Sequence, residues 1–227
     1  TGVQTCALPI CTLAEREAAG LAPLYIAVNI STLDIQDQTL PARLAALLAE
    51  YRVDPSQLQL EVTETGLMSS GADPIAVLHA LKSWGVKLAI DDFGTGQSSL
   101  AYLQHLPVDE LKIDRSFVTD IARQGRKQSV LQAMIELGHS LGLQVTLEGV
   151  ETADGVQWLR QRGGAVVQGH VFSPPLTAEA AKAWMAKAPL AISDPLAWTA
   201  PAAPAGLDPL RALAGQVWSA NPGDGAR

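Results

Sequence analysis

Lys87-Leu88-Ala89-Ile90-Asp91-Asp92-Phe93-Gly94-Thr95-Gly96 is the stretch on which the reading of this chain turns. Lys87 to Ile90 is short, largely apolar and partly β-branched, the composition of a buried strand. Two adjacent carboxylates close it, and a Phe and a Gly-Thr-Gly turn follow. Two neighbouring charges at a buried strand end are costly unless something cationic meets both. A helix N-cap is one explanation, because a helix is predicted from Ser98, yet a cap needs only one Asp. A metal pair, or a metal plus a proton acceptor, uses both. On these ten residues alone the two readings are even.

The surrounding chain alternates strand and helix with short connections. Strands are predicted at Leu24–Ser31, Gln57–Glu64, Lys87–Asp91, Asp109–Asp114, Leu143–Glu148 and Ala165–Gln168. Helices are predicted at Thr12–Ala19, Leu40–Tyr51, Asp73–Trp84, Ser98–Gln104, Lys127–Leu141, Thr152–Arg162 and Thr177–Ala186. Such alternation implies a parallel sheet with right-handed crossovers. Each strand ends in a polar or charged residue: Asn29, Glu61 with Glu64, the Asp pair, Lys112 with Asp114, Glu148 and Gln168. A doubly wound sheet gathers its site at one switch point. Polar ends on all six strands instead favour an α/β TIM-like (β/α)8 barrel, whose C-terminal strand ends carry the chemistry. Six strands of eight are then present, and the missing two belong ahead of this sequence.

Composition narrows the function. The chain has 227 residues, 48% of them hydrophobic, a net charge of -7 and a pI near 5.0. Acidic balance with scattered Lys and Arg leaves no electrostatic footprint for duplex nucleic acid. The two cysteines, Cys6 and Cys11, lie close together near the front, and the body has none, as expected of a cytoplasmic protein. No apolar run has the length of a membrane span, although a full-length protein could be membrane-anchored through N-terminal segments outside this sequence. Residues 1–10 (TGVQTCALPI) lack the basic region and long apolar core of a signal peptide. They read as the translation of a sequencing adapter, hence a non-native leader, which leaves 11–190 as a truncated domain. Residues 191–227, rich in Pro and Ala, form a tail.

Asn29, Glu61, Asp91, Asp92 and Glu148 offer only oxygen ligands, which suit Mg²⁺ or Mn²⁺ rather than zinc. None of His79, His105, His139 and His170 pairs at a zinc spacing. Bound to metal, Asp91 and Asp92 would divide between two ions, with Asp91 able to bridge. Ions roughly 3.5–4 Å apart are a recurrent device for phosphodiester hydrolysis. Lys112 is the lone cation among the strand ends. It either neutralises the acids in a salt bridge or places its ammonium near an attacking water or a phosphate oxygen.

AVNIS (27–31), EVTET (61–65), DDFGTG (91–96), LKIDRSFV (111–118), EGVET (148–152) and QGHVFSPPL (168–176), in this order, resemble the EAL domain. That family comprises bacterial phosphodiesterases of cyclic di-GMP. The resemblance covers about residues 11 to 186. It implies an EAL-type barrel, hydrolysis of cyclic di-GMP to linear pGpG, and two Mg²⁺ or Mn²⁺ ions. It also makes Asn29, Glu61, Asp91, Asp92 and Glu148 metal ligands, with Lys112 the catalytic lysine that contacts the nucleophilic water and Glu148 beside it. Glu151, Gln168 and Asp114 match substrate-side positions or positions that support the ligands, and Glu64 matches the anchor of the loop after the paired aspartates. That loop, Phe93 to Ser99, is associated in the family with dimerisation and coupling to regulatory domains. The complete protein is therefore expected to be a homodimer with an upstream sensory or diguanylate cyclase domain.

The sequence departs from the family in three places. The Glu-Ala-Leu signature is absent, and with it one metal ligand and a phosphate-binding Arg. Gln97 stands where Tyr is usual, and Gly164-Ala165 where Cys-Asp is usual. As a literal polypeptide the chain is expected to show weak or no activity. Two other readings remain: a non-catalytic cyclic di-GMP-binding or interaction module, and another metal-dependent barrel hydrolase.

Overall fold

A computed structural model describes residues 2–21, 24–68, 74–96, 100–123, 125–162 and 165–185. The expectations for Gln97, Gly164 and the tail lie outside these residues. Six strands are hydrogen-bonded in chain order, β1-β2-β3-β4-β5-β6. The chain divides into two compact units, Thr1–Leu111 and Lys112–Arg227, with the boundary inside β4 (Glu110–Ile113).

The first unit begins with α1 (Gly2–Ala18), longer than the predicted Thr12–Ala19. It runs through Pro9, whose ring removes one backbone donor. Burial compensates: Cys6, Ile10 and Leu13 share one face at helical spacing and are at most 1% exposed, against α3 (Leu40–Tyr51) and β1 (Ile26–Asn29). Burial, with the charge of Asp34, pushes the Cys6 thiol up to about 11, so it stays protonated.

β1 leads through α2 (Thr32–Gln36), capped by a reciprocal Ser31–Asp34 box that the sequence reading missed. In α3, Leu40, Leu44 and Leu48 form the buried stripe, and Arg52 ends the helix in the left-handed conformation. β2 (Leu58–Thr63) is buried at every position except Thr63. This is the signature of a strand covered on both faces. The predicted strand ran to Glu64; instead Glu64 opens α4 (Glu64–Met68). α5 (Pro74–Ser83) buries Val77, Leu78 and Leu81, each worth about 1.5–3 kcal/mol of transfer free energy. β3 (Lys87–Phe93) continues two residues past its predicted end. β1, β2 and β3 pair in parallel, with Asn29 opposite Glu61 and Thr63 opposite Asp91. Asp109 binds the strand start, accepting from the Leu88 N–H at 2.9 Å and pairing with Lys82. α6 (Leu100–Leu103) closes this part.

In the second unit, α7 (Arg115–Val118) is a single turn, and α8 (Gly125–Ser140) buries Leu131 and Ile135. β5 (Gln144–Leu147) pairs in parallel with β6 (Val166–Val167), with α9 (Ala153–Arg160) between them. α10 (Ala178–Met185) follows. Among the described residues no helix is long and apolar enough to cross a membrane.

Candidate metal and phosphodiester site

The first unit supplies Asn29, Glu61, Asp91, Asp92 and Glu64. Asn29 is the last residue of β1 and is exposed, while Glu61 across from it is 6% exposed. Asp91 is 9% exposed and Asp92 half-buried. One carboxylate oxygen of Asp91 and one of Asp92 lie within 4.8 Å of one another. Like charges this close repel unless a cation or a proton intervenes. The donors are carboxylate and amide oxygens, which is the chemistry of a hard divalent cation, so these residues fit such an ion.

Glu64 is 2% exposed. Its Oε2 accepts from the Gly94 N–H at 2.7 Å and the Gly96 N–H at 3.3 Å. A Cβ on Gly96 would lie 2.8 Å from Glu64 Oε1, so the loop approaches the carboxylate as closely as glycine allows. Thr95, which the sequence reading did not single out, donates its N–H (3.3 Å) and its hydroxyl (2.8 Å) to the Asp92 carbonyl. Gln59 and Glu110 were also missed. Gln59 Nε2 donates to Glu110 Oε2 at 2.7 Å, with both residues buried. The available signal was that each is a polar residue on a short strand, Gln59 within LQLEVT and Glu110 at the head of ELKI.

The second unit supplies Lys112, Asp114, Glu148, Glu151 and Gln168. Lys112 Nζ lies 2.6 Å from Glu148 Oε1, with side-chain exposures of 6% and 19%. A charge-assisted bond this short, largely out of water, holds both side chains. The Glu148 N–H donates to the Ile113 carbonyl at 3.1 Å. Asp114 caps α7 by accepting from the Ser116 N–H at 2.9 Å. Burial works to raise its pKa, but bonds from Ser116 and Arg115 and the Arg115 charge outweigh it, and the net direction is down.

Glu151 is exposed and precedes Thr152, whose hydroxyl caps α9 through the Gly155 N–H at 3.2 Å. Gln168 is exposed, and its backbone bonds on both sides: its N–H to Leu147 O at 2.9 Å, and its carbonyl from Val150 N–H at 3.1 Å. Next to it, a Cβ on Gly169 would lie 2.2 Å from the Val150 carbonyl oxygen.

Parallel strands with polar C-terminal ends, acids on some and a lysine on another, are the arrangement of a β/α barrel that gathers polar groups at its strand ends. The family model for the EAL domain matches residues 9–175, and the chain belongs to that family. It is 42% identical over 158 residues to cyclic di-GMP phosphodiesterase NbdA of Pseudomonas aeruginosa, covering 70% of this chain and 20% of that protein. The solved PaMucR phosphodiesterase, in complex with c-di-GMP, is 35% identical with a TM-score of 0.73, over 78% of this chain and 72% of that one. Klebsiella pneumoniae BlrP1, solved with manganese and cyclic di-GMP, is 32% identical with a TM-score of 0.68, over 77% of this chain and 44% of that one. The expected EAL-type, TIM-like architecture is thereby established, with six strands among the described residues. The chain spans about a fifth to a quarter of the length of the curated relatives it matches.

Proposed function

We propose that this chain carries the catalytic residues of a phosphodiesterase that hydrolyses cyclic di-GMP to linear pGpG. The observation that carries the reading is the Asp91–Asp92 carboxylate pair, held within 4.8 Å at the end of β3 in a member of the EAL family. Asn29, Glu61, Asp91, Asp92 and Glu148 would hold two Mg²⁺ or Mn²⁺ ions. Bound there, the ions would supply Lewis-acid stabilisation of phosphate charge and lower the pKa of water.

The chain's own residues do the rest. Lys112, fixed by Glu148 at 2.6 Å, keeps an ammonium where it orients the attacking water and offsets charge developing on phosphate oxygen. Glu148 would serve the site as a ligand beside Lys112, its carboxylate shared with the ammonium. Glu151, Gln168 and Asp114 serve the substrate side or support the ligands, and Glu64 anchors the loop after the paired aspartates through its bonds to Gly94 and Gly96.

In this reading residues 11–190 are the domain, 191–227 a tail and 1–10 a non-native leader. The protein acts in the cytoplasm, as a homodimer with an upstream sensory or diguanylate cyclase domain; the much greater length of the relatives supports the last point. A second reading, a cyclic di-GMP-binding module without turnover, is favoured by one observation: no Glu-Ala-Leu tripeptide occurs in the sequence. Chromatographic detection of pGpG decides between them. Turnover that requires Mn²⁺ or Mg²⁺, stops with EDTA and disappears in Asp91→Ala supports the hydrolase. Saturable cyclic di-GMP binding without pGpG supports the module.

A further inference from the structure

Asp91 and Asp92 are neighbours within one strand. In a regular strand, successive side chains point to opposite faces. Two adjacent aspartates should then hold their carboxylates on opposite sides of the sheet, yet their oxygens approach within 4.8 Å. The backbone supplies the reason. Asp92 has φ +55°, the left-handed conformation, inside β3. One left-handed residue interrupts the pleat and re-aims its side chain, as in a β-bulge. Among non-glycine residues Asp and Asn tolerate this conformation best, though it still opposes regular extension.

Something must hold the chain in this turn. The Asp92 carbonyl belongs to the peptide plane that follows residue 92. Thr95 fixes that plane with two donors, its hydroxyl at 2.8 Å and its N–H at 3.3 Å. Thr95 is itself bracketed, since the N–H groups of Gly94 and Gly96 both bond the buried Glu64 carboxylate. The loop thus passes order from Glu64 through Thr95 to the Asp92 peptide.

We propose that Thr95 is a positioning residue for the metal site: its hydroxyl, acting through the Asp92 carbonyl, keeps residue 92 left-handed and both carboxylates on one side. The inference rests on the metal-site reading above. It assigns Thr95 no contact with substrate or metal. Because the backbone N–H bond to the Asp92 carbonyl is kept when Thr95 is replaced by Val, Ser or Ala, the hydroxyl contribution can be isolated.

The test uses the whole 227-residue chain, stripped of metal, with Mn²⁺ affinity measured without substrate from the free-Mn²⁺ electron paramagnetic resonance signal. Thr95→Val keeps the shape and removes the donor; Thr95→Ser keeps the donor. Thr95→Val should weaken Mn²⁺ binding about tenfold, the lower end of the range for groups that orient metal ligands. Thr95→Ser should stay within about twofold of the parent, since its hydroxyl donates equally well. Thr95→Ala, a second hydroxyl-free variant, should follow Thr95→Val. Metal-free melting temperature should move by less than about 2 °C in all three, because the bond is exposed.

Parent-like Mn²⁺ affinity in Thr95→Val would overturn the proposal, and a lowered melting temperature with unchanged affinity would reduce the bond to an ordinary turn. Asp91→Ala separates the two levels. If the parent binds Mn²⁺ no better than Asp91→Ala, the metal-site reading fails and this inference with it. If only Asp91→Ala loses binding, the positioning role alone fails.

Discussion

The loop after β3 and the loop after β5 hold acids at their strand ends by different means. After β3, a side chain is the clamp: Glu64, 2% exposed, collects the N–H groups of Gly94 and Gly96, and Thr95 secures the Asp92 carbonyl. After β5, the clamp is backbone on backbone: Val150 donates to the Gln168 carbonyl and accepts from the Val171 N–H at 3.0 Å, with Gly169 pressed against it. A side-chain clamp can be exchanged atom by atom. A backbone clamp tolerates no added Cβ. The first loop should therefore respond to substitution in graded steps, and the second abruptly.

The sharpest challenge to this contrast is Gly169→Ala. Its Cβ would sit 2.2 Å from Val150 O and 2.4 Å from Val150 N, both backbone atoms. The segment must shift, at a cost of about 3 kcal/mol or more, as overpacking against rigid neighbours does. Chemical denaturation checks this, and a loss under about 1 kcal/mol, within the range of an ordinary surface change, would break the contrast.

Glu64→Ala comes next. It strands the N–H groups of Gly94 and Gly96, and about 2–3 kcal/mol should be lost, appearing as a melting point lower by roughly 5–10 °C. Glu64→Gln, which retains an acceptor oxygen, should recover part of that loss, as a graded clamp requires. The smallest effect is expected for Thr152→Ala, which removes the α9 cap beside Glu151 and should cost about 1 kcal/mol. If it costs as much as Gly169→Ala, the β5 loop depends on side chains after all.

Much of the architecture is legible in local sequence because parallel strands buried on both faces read as apolar runs. The Leu-Ala-Ile run of β3 and the alternating LQLEV of β2 mark strands, and the Leu stripe of α3 marks its helix. Boundaries were less legible. Glu64 looks like the last strand residue because its neighbours Val62 and Thr63 favour strands, yet it begins α4, where its carboxylate meets a loop thirty residues onward. α1 reaches back to Gly2 because tertiary burial of Cys6 and Ile10 overrides Pro9. The short helices α2 and α7 were invisible to periodicity, having too few turns to show one.

The acids, the lysine and their placement at strand ends were determined by the sequence itself, because side-chain chemistry and strand period are local properties. Tertiary structure decided how adjacent aspartates come to lie together: a left-handed Asp92 is set by Thr95 and Glu64, and no pattern in the residues announces a backbone torsion. It likewise decided that Gly169 must be glycine, since only the folded chain brings Val150 within a Cβ's radius. Residue type is written along the chain, whereas close approach depends on which distant segments pack together.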